Sequence, residues 1–282
     1  MESGITDSAI VLRDLAKSYG AVHAVRGISL DVRRAEIFGF LGLNGAGKTT
    51  TIRILLDLLR PSRGSAAVFG FDCQRESRKT RAMIGYLPGE LGLYADMRGG
   101  EVLDLMERLG GRPVDAGYRH ALLDRLELAR ADLRRTLREY STGMKRKLGL
   151  VQALQSDPPL LVLDEPTEGL DPLVQRALHE ILIELRARGR TVFMSSHVLS
   201  EVERLCDRIA VIRSGEIVLL STVEEARRRS GRIVRVHFTD GRLQEIQVAG
   251  EIGPLLPQLD DVRDLEILEP SLEDVLASFY RS

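Results

Sequence analysis

Gly42-Leu43-Asn44-Gly45-Ala46-Gly47-Lys48-Thr49 is the stretch from which the fold follows. It fits the pattern GxxxxGK[ST], and its flanks are those the pattern requires. Ile37-Phe38-Gly39-Phe40-Leu41 ahead of it reads as a short buried strand, and Thr50 to Leu59 behind it reads as an amphipathic helix. A strand, a glycine loop and a helix N-terminus in that order aim backbone N–H groups at one point, which suits an anion. The glycines let the backbone approach phosphate oxygens closely and take up positive φ where a Cβ would clash. Gly42, Asn44, Gly45, Ala46, Gly47, Lys48, Thr49 and Thr50 are therefore expected to cradle a nucleoside triphosphate. In that cradle Lys48 would bridge the β- and γ-phosphates and the Thr49 hydroxyl would ligate Mg²⁺.

Two further strand tips belong to the same reading. Leu160-Leu161-Val162-Leu163 is an apolar run of the kind buried in a parallel sheet, and it ends in Asp164-Glu165. Ligands of open α/β sheets bind at the carboxyl ends of strands, so both acids are expected to face the glycine loop. Asp164 would complete the Mg²⁺ shell, and Glu165 would polarise the attacking water as a general base. Thr191-Val192-Phe193-Met194-Ser195-Ser196 reads as another strand and delivers His197 at its tip, placed to sense a γ-phosphate.

Composition narrows the class. The 282 residues are 44% hydrophobic and 29% charged, as in globular proteins with ample core material. A net charge of −1 argues against a dedicated nucleic-acid binder, which would carry a basic face. No window approaches the roughly 20 apolar residues of a membrane span. Residues Met1 to Asp7 lack the basic-then-apolar signal pattern. Cys73 and Cys206, far apart, are expected to be buried thiols of a reducing, cytoplasmic setting rather than a disulfide.

Tyr140-Ser141-Thr142-Gly143-Met144-Lys145-Arg146-Lys147-Leu148 resembles the signature motif of ATP-binding cassette (ABC) ATPases and lies shortly before the acidic strand, as in that family. Pro166-Thr167 and Gly169-Leu170-Asp171-Pro172 resemble the family's D-loop, Tyr19 matches the aromatic that stacks on adenine, and His197 matches the switch histidine. The resemblance runs through about the first four-fifths of the chain. It implies two ATPase domains head to tail with each ATP sandwiched between them. The glycine loop of one copy would face Ser141 and the Gly143 backbone of the other, with Asp171 also at the nucleotide. The implied partners are a second copy of the chain in a C2 homodimer and a separately encoded transmembrane permease, with no nucleic acid. The implied place is the cytoplasmic face of the membrane, as a peripheral subunit.

Two departures from the family pattern stand out. Thr142 and Met144 replace a usual glycine and a common glutamine. Ile84-Gly85-Tyr86-Leu87-Pro88-Gly89-Glu90 resembles the Q-loop, yet Gly89 stands where the glutamine belongs. That glutamine touches Mg²⁺ and the attacking water in the family, so its loss bears on coupling more than on ATP binding, and Glu90 is the candidate substitute. A slow but real ATPase is the expectation.

The architecture implied is α/β: a P-loop ABC ATPase with a RecA-like core, an antiparallel β-subdomain, a helical subdomain at about 72–157, and a small C-terminal α/β accessory domain. The cassette is expected over 1–220 and the accessory domain over 221–282. Ile10 to Leu15 and Val22 to Val25 read as strands, and Glu101 to Leu109 and Ala121 to Leu128 as helices. Leu91-Gly92-Leu93-Tyr94 is either core packing or part of a docking groove. Past Leu220, Glu224 to Arg229 reads as a charged helix, Ile233 to Phe238 and Leu243 to Val248 as strands paired across Asp240-Gly241, and Leu265 to Leu268 as a further strand. His237 is expected to be a sheet residue rather than a ligand, and Ser271-Leu272-Glu273-Asp274 to start a final helix. The Met-Lys-Arg form of the signature and the short tail resemble the subfamily that exports drugs, lipids or polysaccharides through type-2 permeases. The alternatives are a soluble ABC ATPase without a transport role and a regulatory nucleotide-binding module with weak turnover.

Overall fold

Continuous apolar runs become buried parallel strands. The computed structural model describes residues 7–92, 95–229, 232–248 and 260–268, and the chain divides into two compact units. The first unit takes in 1–197 and 205–220. Its centre is a six-stranded sheet: β3 (Ile37–Leu41), β6 (Ile84–Leu87), β7 (Leu160–Asp164), β8 (Thr191–Ser196), β9 (Arg208–Arg213) and, for all but its last two residues, β10 (Glu216–Thr222), in the order β10-β9-β3-β8-β7-β6. The pairings β9/β3, β3/β8, β8/β7 and β7/β6 are all parallel, which brings the C-terminal tips of five strands to one edge. Every residue of β3, β7 and β8 is buried. Phe38 of β3 stacks on Phe193 of β8 at 5.9 Å between ring centroids.

An antiparallel sheet, β2-β1-β4-β5, is built from β1 (Ser8–Tyr19), β2 (Val22–Arg33), β4 (Arg63–Val68) and β5 (Phe71–Asp72). Its apolar side shares one core with β3 and with α1 (Lys48–Leu55), through Ile10, Leu12, Val25, Ile52 and Leu55. Helix α1 ends four residues before the expected Leu59. Asp57 takes φ 53°, and the following Arg60-Pro61 disfavours helix at the residue before proline.

Five helices complete the unit: α2 (Ser77–Ala82), α3 (Gly99–Gly110), α4 (Ala116–Arg125), α5 (Thr142–Leu154) and α6 (Pro172–Ala187). Helix α6 buries Val174, Leu178, Ile181, Leu182 and Leu185 at helical spacing, and Asp171 caps it by accepting from the Val174 N–H at 3.0 Å. The span 72–157 is not helical throughout: β6 lies inside it and joins the core sheet beside β7. Leu91 packs on α5, where a Cβ at Gly149 would meet its Cδ2 at 2.8 Å. Leu93 and Tyr94 lie outside the described residues. Cys73 and Cys206 are buried and unbridged, and burial with nearby Asp72 and Asp57 pushes the Cys73 thiol up to about 12.

The second unit, 198–204 with 221–282, holds α7 (Leu199–Leu205) for all but its last residue, α8 (Val223–Arg229) and an antiparallel sheet β12-β11-β13. Its strands are β11 (Arg232–Phe238), β12 (Leu243–Val248) and β13 (Val262–Leu268), and Gly241 takes φ 86° in the β11–β12 turn. Val234, Val236 and Phe238 form its small core, while Arg235 bridges Glu245 and Glu266 on the two neighbouring strands. His237 sits in β11, 3.7 Å from Glu266. The expected final helix at Ser271–Asp274 lies outside the described residues.

Candidate functional site

The glycine loop leaves β3 at its C-terminal tip and turns into α1 at Lys48. Gly45 and Gly47 hold φ of 81° and 114°. At Gly47 a Cβ would lie 2.6 Å from the Ala24 carbonyl oxygen, so both its φ and its space demand glycine. The side chain of Lys48 folds back over the loop, donating to the Gly42 carbonyl and standing 3.2 Å from Glu165 Oε1.

Parallel strand order explains the rest of the gathering. β8 lies between β3 and β7, so His197 and the Asp164-Glu165 pair emerge beside the glycine loop. Thr49 Oγ1 donates to Asp164 Oδ2 at 3.1 Å, and Ser195 Oγ donates to Asp164 Oδ1. Glu165 takes φ 51°, and its N–H donates to Ser195 Oγ at 3.1 Å. Its carboxylate is held from both sides, by Lys48 on Oε1 and by His197 Nδ1 at 2.8 Å on Oε2. Lys48 is buried and Glu165 partly so, whereas His197 is half exposed.

These residues border an open cleft of about 950 Å³. Asn44, Gly45, Gly47, Lys48, Thr49, Thr50, Asp164 and Glu165 line it. Gly42 and Ala46 form the loop from behind: a Cβ at Gly42 would lie 2.4 Å from the Ile212 carbonyl oxygen, and Ala46 is buried. Gly89, Glu90, Thr142, Lys145 and Arg146 line it as well.

Four expected residues are not in this gathering. Tyr19 ends β1, 47% exposed, with Lys17 Nζ 5.1 Å over its ring. Ser141 is the N-cap of α5, its exposed hydroxyl accepting from the Met144 N–H at 3.2 Å. Gly143, in the first turn of that helix, lies against the Gly169 carbonyl. Asp171 pairs with Lys147 Nζ at 3.4 Å, and the Val174 N–H that it accepts, with Lys147 beside it, holds its carboxyl below the usual carboxylate range. Two site residues escaped the sequence reading. Ser195 was legible in principle from the β7/β8 register, which sets Asp164 opposite Ser195. Arg146 was not, because a basic run on a helix reads as solvated surface.

A lysine-bearing glycine loop facing two carboxylates at the strand ends of a parallel sheet defines a P-loop nucleoside triphosphatase. Residues 25–168 match the family model described as "ABC transporter". The daunorubicin resistance ATP-binding protein DrrA3 of Streptomyces coeruleorubidus is 38% identical over 230 residues, covering 80% of this chain and 72% of that protein. The bacitracin transport ATP-binding protein BcrA of Enterococcus faecalis is 33% identical over 240 residues, covering 85% and 77%. Among solved structures, an ATP-binding subunit of an ABC transporter superposes with a TM-score of 0.73 at 31% identity, covering 79% of this chain and 93% of that one. The chain belongs to the ABC transporter ATP-binding family. It binds ATP and is an ATPase, and no helix among its described residues is long and apolar enough to cross a membrane.

Proposed function

We propose that this chain is the ATP-hydrolysing subunit of an ABC exporter, working as a head-to-tail homodimer on a separately encoded permease at the cytoplasmic face of the membrane. The observation that carries the proposal is the convergence of Lys48, Thr49, Asp164, Glu165 and His197 on one edge of one sheet, while the Ser141 hydroxyl stays exposed away from it. One chain thus supplies phosphate-loop, metal and base groups but leaves its signature serine free to face another copy. The names of the bacitracin and daunorubicin relatives support export of a small molecule by such a subunit.

Each residue has a role in this reading. Lys48 and the loop N–H groups hold the β- and γ-phosphates, and Tyr19 stacks on the base. Thr49 Oγ1 and Asp164 Oδ2 form a pair of hard oxygen donors, one of them a buried carboxylate, and that pair fits Mg²⁺. The ion supplies charge neutralisation for the transferring phosphoryl group. Glu165 orients and deprotonates the attacking water, and His197, already on the Glu165 carboxylate, reads the γ-phosphate. Ser141 and the Gly143 N–H of the second copy close over the same phosphate, with Asp171 at the junction. Gly89 offers no side chain beside Asp164, whose Oδ2 lies 3.3 Å from a Cβ built there, and slow turnover is the outcome expected on this reading.

The test is Glu165→Gln with ATP and Mg²⁺, followed by light scattering. Stalled hydrolysis should trap a dimer that ADP does not support, and the tagged variant solubilised from host membranes should bring down a polytopic protein in stoichiometric amount. A persistent monomer would overturn the sandwich. Recovery as a soluble dimer alone would favour the ATPase without a transport role.

A further inference from the structure

We infer that Arg146 is a positioning residue for hydrolysis, a buried clamp that fixes Glu165 and the segment 88–90 relative to each other. The inference rests on the ATPase reading above and adds a residue to it. Arg146 lies in the second turn of α5, only 4% exposed. Its guanidinium enters the gap between the tips of β6 and β7, just where their parallel ladder stops at Leu87 and Leu163. Nη1 donates to the Pro88 carbonyl at 2.8 Å and to the Gly89 carbonyl at 3.0 Å. Nη2 donates to the Asp164 carbonyl at 2.7 Å and to the Glu165 carbonyl. Four backbone acceptors on two diverging segments are thus joined through one planar group.

The chemistry explains why arginine is needed. Burial pushes the guanidinium pKa down, and the nearby carboxylates of Glu168, Asp164 and Glu165 offset this only in part. A rigid fork spans two pairs of carbonyls, whereas a lysine ammonium is a compact charge with no such span. The consequence falls on Glu165. Its φ of 51° is a left-handed conformation that costs a non-glycine residue energy and persists only when its surroundings hold it. Ser195 fixes its N–H and Arg146 fixes its carbonyl, so both peptide planes are set and the carboxylate is launched towards Lys48 and His197. The same guanidinium sets the depth of Gly89, whose Cβ position is 3.3 Å from Asp164 Oδ2. Any movement of segment 88–90 is therefore passed to the base.

Arg146→Lys and Arg146→Gln test this in the full chain, with Arg190→Lys, whose pairing with Asp157 is remote from the cleft, as the control. The Arg146 variants should lose about tenfold or more in kcat while the ATP Kd stays within about threefold, because a small misplacement of a reacting group acts on the chemical step. The control should keep its kcat. Hydrogen exchange should rise together in peptides spanning 84–92 and 160–170 of Arg146→Lys, with β3 unchanged. Unaltered kcat in a folded Arg146→Lys, or faster exchange in neither or only one of the two segments, would overturn the clamp. A wild-type chain without turnover would instead overturn the ATPase reading, and the exchange measurement would still decide the clamp.

Discussion

At the scale of single residues the site is closed on itself. Lys48, the cation proposed to hold phosphate, stands 3.2 Å from the partly buried Glu165, and its other partner is the Gly42 carbonyl. An incoming phosphate must take Lys48 from that carboxylate. On the proposed reading, that exchange releases Oε1 of Glu165 towards water while His197 still holds Oε2, so binding itself prepares the proposed base. Removing the Glu165 charge leaves the buried Lys48 ammonium uncompensated, which an anionic ligand then relieves. Glu165→Gln should therefore bind ADP, which is not hydrolysed, roughly three- to tenfold more tightly than the wild type, about 0.7–1.4 kcal/mol. It should also show a lower apo Tm and a larger rise on adding ADP. Calorimetric titration with ADP at low ionic strength measures this, and equal affinities would mean that the pair has no weight in nucleotide binding. Lys48→Ala, which removes the cation altogether, should lose ADP binding in the same titration.

Among elements, the close approach of α5 to β6 matters most, because α5 carries both Ser141 and Arg146. Gly85 in the middle of β6 permits it: a Cβ there would lie 2.1 Å from the Ala153 carbonyl oxygen and 2.6 Å from Pro158 Cγ. Gly85→Ala must force strand and helix apart, and overpacking of this kind costs about 1–3 kcal/mol. Gly110→Ala, at the end of α3 with nothing within 4 Å of its Cβ, should be neutral or stabilising by up to about 1 kcal/mol. Unfolding free energies of the two variants from urea titrations should move in opposite directions or differ by at least about 1 kcal/mol. A shared midpoint would place α5 farther from the sheet than described. The same glycine explains what was legible. β7 and β8 were evident as unbroken apolar runs with chemistry at their tips. β6 was hidden within a helical span, because Ile-Gly-Tyr-Leu has neither length nor period. The cleft-lining groups of β3 and β7, and His197 beside them, could be read in advance because each follows a strand end. Arg146 could not, since its burial depends on where α5 packs.

For the whole molecule, the buried acids of the first unit set the behaviour at high pH. The Cys73 thiol is pushed up to about 12 by burial and by Asp72 and Asp57, and the phenols of Tyr86 and Tyr140 rise to about 12, chiefly through burial. In the unfolded chain these groups ionise from about 9 and about 10. Between those values and about 12 the unfolded state has released protons that the folded state still holds, so it binds fewer protons and stability falls as pH rises. The stabilising contribution is complete below pH 9 (about the thiol's unfolded value) and is lost progressively up to about 12. Lysines as a class also begin to titrate inside that window, near about 10.4, which makes the variant comparison the informative one. Cys73→Ala and Tyr86→Phe should each flatten the decline of the urea midpoint between pH 8.5 and 11 (roughly the accessible part of the window) relative to the wild type, with little change in slope below it. Parallel declines in wild type and both variants would show that the thiol and the Tyr86 phenol ionise alike in the folded and unfolded chain, and would place the alkaline limit with the cations instead.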